Sequence, residues 1–574
     1  MKVLGLGCPI TWTYPHDPAA AILVDGKVVA AAEEERFIRK KHAVGEMPIR
    51  SARYCLEAAG LSAKDLDVIA FGLSPASYRR HAYRIFREEI FRRPRRALKR
   101  LLRNRREAAH CAAHQRAIVE ACGLDPGVQV VAVDHHLAHA ASSFLFSGFE
   151  DAAYLTADGA GEVATTTLGE ARGVEFETRL ELTRPDSLGL FYSTVTDYLG
   201  FEVNDGEYKV MGMAPYGDPR AIDVGPLVDF GGGRFSVNRD LCFASRKDRF
   251  EKRLFSNRFV EMFGPPRTGD GMEPRHANLA AATQERLEAV VHHLVDEHLA
   301  PVLARCGGRL CFSGGVALNV TLNRRLLERK DVKRLFVQPA AGDSGIPLGA
   351  AAYVAARGGD RIAPMTHAYL GPGYADDHIR RAIEARGGVK SRFLGSEEET
   401  VRVAADLLAS GKVVAWMQGR IEFGPRALGN RSILGHPGRP GTRDEINAAI
   451  KFREPWRPFC PSMLVEDAPS VLGTDHPAPF MNLSFLVTDE WARRIPEVVH
   501  VDGSVRPQAV TPEANPLYYR LIRAFKERTG IPVLLNTSLN RRGEPMVGSP
   551  EDALEMFYGS GLERLVVGNF LVEK

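Results

Sequence analysis

Long apolar runs, paired cysteines and a dominant charge are all missing from this 574-residue sequence. No stretch reaches the roughly 20 apolar residues that a membrane-spanning helix needs. The opening MKVLGLG lacks the basic segment and apolar core of a secretory leader. A cytoplasmic protein without a membrane partner is therefore expected. The eight cysteines (Cys8, Cys55, Cys111, Cys122, Cys242, Cys306, Cys311 and Cys460) form no CxxC pair and no dense framework. That excludes a zinc finger or a disulfide scaffold and fits reduced thiols. A net charge of +4 is too small to select a partner, and 45% hydrophobic with 25% charged residues is an ordinary globular mixture. The length implies two or more domains.

What charge there is lies unevenly. Residues 79–106 hold thirteen Arg or Lys against two acids, Glu88 and Glu89. Such a run is either an RNA- or phosphate-binding surface or a solvated helical insertion with Ile85, Phe86, Ile90, Leu98, Leu101 and Leu102 packed inward. No RNA-binding motif and no interleaved exposed aromatics accompany it, so the insertion is expected and nucleic acid is not.

The most informative stretch is VVAVDHHLAHAASSF, residues 130–144. A β-branched run ends at Val133, Asp134 is a suitable N-cap, and the Leu/Ala-rich run after it favours helix. His135 and His139 then lie one turn apart, about 5–6 Å at Cβ, on one face. The partial positive charge of a helix N-terminus keeps imidazoles neutral, the form that binds metal, and also attracts anions. His136 points about 100° away and reads as a packing residue. Two ordinary helix histidines are the alternative for this motif alone.

The rest of the chain supplies context. A strand at 3–7, a Gly/Pro-rich loop to Asp17, and a hairpin turning on Asp25-Gly26 open the first half. A strand meander at 152–182, a long helix at 279–305 and strands at 309–313 and 334–338 form a second passage of similar texture. Strand meander, helix, strand, helix, twice over, predicts a duplicated α/β domain with its cleft between the halves. Two glycine-rich loops in matching positions, 158–161 and 313–315, suit a nucleotide phosphate. Asp343 follows the last strand of the second half, where His135 follows that of the first. Two histidines and a carboxylate with open positions suit iron or another divalent ion, although Asp343 also reads as an N-cap.

Residues 357–368 read as a linker, separating domain 1–356 from a second α/β domain, 369–574. That domain concentrates Arg420, Arg426, Arg431, Lys451, Arg453, Arg457 and Arg506 on Gly- and Pro-rich loops, with Asn536, Thr537 and Ser538 after a strand. Arginine forks match phosphate oxygens. Glu422, Glu454 and Asp502 are the carboxylates that would satisfy some of them structurally.

Taken in order, HDPAAAILVDG, EEERFIRKKH, DHHLAHAASSF, DGAGE, GEYKVMGMAPYG, SGGVALN, GDSGIPLGAA, GRIEFGPRALGNRSIL, KFREPWRPF and PVLLNTSLN closely resemble the O-carbamoyltransferases of antibiotic tailoring and nodulation-factor decoration. The resemblance spans residues 5–548. It implies an actin/sugar-kinase-like (ASKHA) first domain and a YrdC-like second domain. The second would make carbamoyl adenylate from carbamoyl phosphate and ATP with Mg2+, and the intermediate would pass inside the protein to the first. There a metal, Fe2+ by resemblance, held by His135, His139 and Asp343, would orient the donor while His16 acts as base toward an acceptor hydroxyl.

By the same resemblance Asp158, Gly159, Gly314, Gly315 and Asn319 contact the adenylate, and Glu207 and Lys209 line the cleft. Arg426, Arg431, Lys451, Arg457, Arg506, Asn536 and Thr537 would serve carbamoyl phosphate and ATP. The acceptor is a small molecule, such as an aminoglycoside, a polyketide hydroxyl or a sugar, and the assembly a monomer or homodimer. Two other readings stand beside it: a threonylcarbamoyladenosine-type tRNA-modifying enzyme, and a non-catalytic actin-like nucleotide-binding regulator.

Overall fold

A computed structural model describes residues 1–7, 16–91, 94–242, 253–451, 454 and 456–574. Cys8, most of the expected loop before Asp17, Arg453 and the inward packing of Ile85 lie outside what it describes. The chain divides into two units, Met1–Glu35 with His42–Met365, and Arg36–Lys41 with Thr366–Lys574. The six-residue excursion Arg36–Lys41 joins the second unit through donors to carbonyl oxygens: Arg36 to Gly424, and Arg39 to Pro545 and Met546. Nothing in its composition announces this.

The first unit carries one topology twice. Its first sheet runs in the order Lys27–Glu33, Ala19–Val24, Lys2–Gly7, Val68–Phe71, Gln129–Ala132, and its second in the order Glu175–Thr183, Ala164–Arg172, Asp151–Ala157, Arg309–Ser313, Arg334–Val337. In each the first three strands are an antiparallel meander and the last two are parallel additions. Register is equivalent too: Leu4 pairs with Ile69 and Ile69 with Val130, while Ala153 pairs with Leu310 and Leu310 with Leu335. This is the duplicated actin/sugar-kinase-like architecture. The Asp25-Gly26 turn has φ of 49° and 75°, the left-handed pair that a two-residue hairpin requires.

Small residues decide how the halves meet. The helix after the fifth strand of each half, His135–Phe144 and Ile346–Arg357, packs against its counterpart. A Cβ on Gly349 would stand 1.9 Å from the carbonyl oxygen of Ala138. The sequence IPLGAAAYVAAR is therefore small so that two backbones can touch. That contact draws the N-terminal ends of both helices into one place.

Between the fourth and fifth strands of the first half stand two helices, Pro75–Glu89 and Pro94–Ala121. The expected inward packing of the basic segment fails in part: Leu98 is 50% and Leu102 48% exposed, and Tyr83 and Phe91 are exposed as well. Helix pairing buries only one stripe of each helix, here including Tyr78, Ala97, Ala108 and Cys111, and these residues fall outside it.

The second unit is built on an eight-stranded mixed sheet, ordered Lys390–Phe393, Phe570–Glu573, Arg564–Val567, Val414–Met417, Arg431–Gly435, Val533–Ser538, Cys460–Leu464, Gln508–Val510. Helices Glu397–Ala409 and Pro516–Thr529 cover one face, burying Trp416, Tyr518, Leu521 and Phe525. Truncating a buried ring of this kind costs about 3–5 kcal/mol. The seven described cysteines are free thiols.

Candidate functional site

Strand ends place the candidate metal centre. His135 and His139 follow the fifth strand of the first half, Asp343 follows the fifth strand of the second, and Asp158 follows the second half's first strand. Their donor atoms, one from each residue, lie within 4.8 Å of one another. His139 Nε2 stands 2.8 Å from Asp158 Oδ2 and 3.6 Å from Asp343 Oδ1, and His135 Nε2 stands 3.5 Å from each of the same oxygens. The rings of His135 and His139 meet edge to face at 4.7 Å.

Electrostatics fit a cation. Asp343 Oδ1 is buried with no hydrogen-bond donor, an orphan that costs free energy unless a cation or proton serves it. Burial resists charge on His139, yet the hydrogen bond to Asp158 and the negative charge of Asp343 prevail and raise its pKa to about 9, so that without a cation the ring is not held neutral as the helix N-terminus alone would have it. Burial likewise opposes ionisation of Asp158, and His135 and His139 overcome it, holding the carboxyl well below its ordinary range. Two imidazoles and two carboxylates make a mixed nitrogen and oxygen set suited to a borderline divalent ion. Asp158, expected among the nucleotide contacts, lies within the group of four residues whose donor atoms could hold a metal ion.

Support for the histidines comes from an unexpected residue. Asp134 does not cap its helix; its carboxylate pairs with Arg80. The cap is Glu162, the last residue of DGAGE, whose carboxylate accepts from His135 N at 3.2 Å and Ser74 N at 2.6 Å. Burial lifts the Glu162 pKa to about 7. Gly161 beside it is required, because a Cβ there would lie 2.8 Å from the His135 Cβ. A capping carboxylate 27 residues downstream leaves no local pattern to read. His136 turns away, as expected: its Nδ1 meets Thr156 Oγ1 at 2.7 Å, and burial pushes its pKa down to about 3.

His16 faces the centre from the first half, with Nε2 3.8 Å from Asp343 Oδ2. Its Nδ1 lies 2.9 Å from Asp17 Oδ2, and Asp17 Oδ1 lies 2.8 Å from His42 Nδ1. His42 N donates to Glu35 Oε2 at 2.7 Å. Burial disfavours charge on His16, but Asp17, Asp343 and Asp158 together raise its pKa to about 9. Asp17 and His42, joined by the Asp17 N–H to the His42 carbonyl, have φ of 53° and 58°, a strained pairing held by this network. Neither was singled out from the sequence, since their partnership spans 25 residues.

The remaining expected contacts divide. Gly159 N donates to Asp158 Oδ1, and Gly314 and Gly315 approach Ala157 and Asp158, so both glycine loops flank the candidate metal centre. Asn319 caps its own helix by accepting from Leu322 N and exchanges hydrogen bonds with Gln284. Glu207 accepts from Ser193 Oγ and Asn204 N, and burial raises its pKa. Lys209 lies over the Phe201 ring.

In the second unit Arg506 is the centre of a like-charged group. Burial, with Arg426 and Arg457 adding repulsion against the pull of Cys460 and Asp502, pushes its pKa down to about 10. Arg457 is 3.5 Å from Glu454. Lys451 Nζ donates to Ser538 O and Oγ and to Asn540 O and Oδ1, which adds Asn540 to the residues read from sequence. Asn536 is buried, donating to Ala427 O and Ser462 Oγ, and Thr537 pairs with Ile433 in the sheet.

Arg431 stands apart. Its guanidinium is fully buried and donates to the carbonyls of Gln418, Gly419, Asn430 and Pro372. It lines a cavity of about 490 Å³ together with Tyr374, Arg420 and Asn515, whose walls include none of Arg426, Lys451, Arg457 and Arg506. Glu422, expected as an arginine partner, accepts instead from the backbone N–H groups of Leu428, Asn430 and Arg431. The phosphate role expected of Arg431 therefore belongs to a side chain already committed to holding the loop.

Residues 6–352 match the family described as carbamoyltransferase N-terminus and residues 405–574 the family described as carbamoyltransferase C-terminus. The Synechocystis sp. protein sll1178 is 37% identical over 98% of this chain and 95% of its own. The nodulation protein NolNO of Sinorhizobium fredii is 38% identical over 98% of this chain and 79% of its own. The 3'-hydroxymethylcephem-O-carbamoyltransferase of Streptomyces clavuligerus is 31% identical over 63% of each chain. The chain belongs to the carbamoyltransferase family and is an enzyme of that class.

Proposed function

We propose that this carbamoyltransferase uses carbamoyl phosphate and ATP to make carbamoyl adenylate in its second unit, and transfers the carbamoyl group to a hydroxyl of a small-molecule acceptor in its first. The observation that carries the reading is the convergence of His135, His139, Asp158 and Asp343, with His16 Nε2 3.8 Å from the last of them. The cephem relative's name gives that enzyme a hydroxymethyl acceptor on a cephem; for this chain the acceptor class is a hydroxyl on a secondary metabolite or, by the family resemblance, a sugar-containing natural product.

In the second unit water releases phosphate from carbamoyl phosphate, and the carbamate oxygen attacks the α-phosphorus of ATP, expelling pyrophosphate. Arg426, Arg457 and Arg506, clustered against their own repulsion, are matched to that polyanion, and Lys451 orders the Ser538–Asn540 loop beside them. In the first unit the acceptor oxygen bonds to the carbamoyl carbon, the carbon–oxygen bond to the phosphate breaks, and AMP leaves. His16 Nε2 would take the hydroxyl proton once a bound cation offsets Asp158 and Asp343, which otherwise hold the ring protonated, while Asp17 at Nδ1 fixes the ring's orientation. His135, His139, Asp158 and Asp343 would hold a divalent ion, Fe2+ by resemblance, which supplies charge stabilisation and orientation for the donor when bound.

Incubation with ATP and carbamoyl phosphate, without acceptor, tests the reading. Pyrophosphate release that requires carbamoyl phosphate is expected. ATP binding without such release overturns it in favour of a nucleotide-binding regulator, and release that requires threonine and bicarbonate instead favours a tRNA-modifying enzyme.

A further inference from the structure

The helical hairpin Pro75–Glu89 and Pro94–Ala121 is absorbed by neither site. Residues 79–106 carry a net +11, whereas the whole chain carries +4, so the remainder is net −7. On this one projection cationic and apolar side chains are interleaved. Tyr83 is 61% exposed with Arg79 and Arg87 one turn to either side, and Phe91 at the turn is 94% exposed. On the second helix Leu98 and Leu102 stand one turn apart on a stripe shared with Arg95, Arg105 and Arg106, with Lys99 adjoining.

Internal partners hold the base of the hairpin and leave its outer part uncommitted. Arg80 pairs with Asp134 and Arg84 with Glu181, and Ser74, its N-cap, donates to Glu162. Arg79, Arg87, Arg95, Lys99, Arg105 and Arg106 are exposed and, among the described residues, have no ion pair.

We propose that this hairpin docks the enzyme on an anionic phospholipid surface, with Tyr83, Phe91, Leu98 and Leu102 entering the headgroup and acyl boundary and the surrounding cations facing lipid phosphates. An amphipathic, cation-rimmed helical face has the physical form of an element that lies in a bilayer interface. It differs from a spanning segment, and no helix among the described residues is long and apolar enough to cross a membrane. Such docking departs from the sequence expectation of no membrane partner.

Charge and chemistry select this occupant. Two copies meeting face to face would set +11 against +11, which disfavours self-association. A single-stranded nucleic acid would use the cations and stack on Tyr83 and Phe91, but an aliphatic pair such as Leu98 and Leu102 offers no stacking surface. Hydrocarbon accepts all four side chains.

The test is co-sedimentation of the full chain with vesicles of phosphatidylcholine alone or mixed with phosphatidylglycerol. Retention by the mixed vesicles, falling as salt rises, is expected, with little on phosphatidylcholine. Leu98→Glu with Leu102→Glu should weaken retention at least 10-fold at unchanged thermal unfolding. Arg95→Gln and Lys99→Gln, which leave the apolar stripe intact, should each cost about 5-fold. Equal retention by neutral vesicles, or retention insensitive to the leucine changes, overturns the proposal. So does binding to total tRNA without vesicle retention, which would identify a nucleic-acid surface, or a dimer dissociated by the leucine changes, which would identify a second copy as the occupant.

Discussion

The first unit's centre and the second unit's arginine group solve opposite electrostatic problems. In the first, two carboxylates and two imidazoles face one another, and His139 and Asp158 are held toward their charged forms. In the second, burial opposes the charge of Arg506, and Arg426 and Arg457 add repulsion, which lowers its pKa from the usual guanidinium range. A site whose donors converge on one point with an orphaned oxygen accommodates a cation; a site of crowded guanidinium groups accommodates phosphates.

The sharpest way to break that comparison is to remove one donor from the first centre. His139→Ala should lower transfer to acceptor by 10³-fold or more while leaving carbamoyl-phosphate-dependent pyrophosphate release within about 2-fold, because the lost interaction acts on one step. Equal loss of both steps, measured on the same preparation, would contradict the division of labour. The reciprocal change, Arg506→Gln, should reduce pyrophosphate release by roughly 10²-fold through loss of a charge-assisted phosphate contact. Metal content, measured by atomic absorption, should stay at the wild-type level in this variant and fall in His139→Ala.

A smaller effect sharpens the picture of the second group. Burial disfavours the Asp502 carboxylate, but His500 and Ser504 hold its pKa below the ordinary value. A depressed folded pKa adds stability above the unfolded value near 3.9, and that contribution is lost as pH falls through and below it. Asp502→Asn should therefore cost about 1 kcal/mol near pH 7, with the gap to wild type shrinking below about pH 4 in urea-unfolding titrations. A gap that stays constant down to pH 2 would assign the loss to packing alone.

Much of the first centre was legible because its parts obey local rules. HxxxH fixes two side chains on one helical face, and a strand followed by a small-residue helix marks the second half's equivalent position. Asp158 was visible as the end of a strand but not as a neighbour of the imidazole pair, since only the approach of the two half-sheets puts its oxygen beside His139. Glu162 and the Asp17–His42 pair escaped notice for a similar reason: their partners come from other elements, and their spacing has no periodicity. In the second unit composition showed that arginines were concentrated, yet it could not separate Arg426, Arg457 and Arg506 from Arg431. All four sit among the same glycines and prolines, and only the folded loop sends Arg431 to backbone carbonyls.

By itself the sequence determined the elements, the internal duplication and the imidazole pair, because hydrophobic period, turn chemistry and helical spacing act within a few residues. Tertiary structure alone decided which carboxylates converge on the imidazole pair, which carboxyl caps the histidine helix, and which exposed side chains the basic hairpin leaves uncovered. Those outcomes depend on separations of a few ångströms between residues as far apart in the chain as His16 and Asp343, a distance relation that no linear pattern encodes.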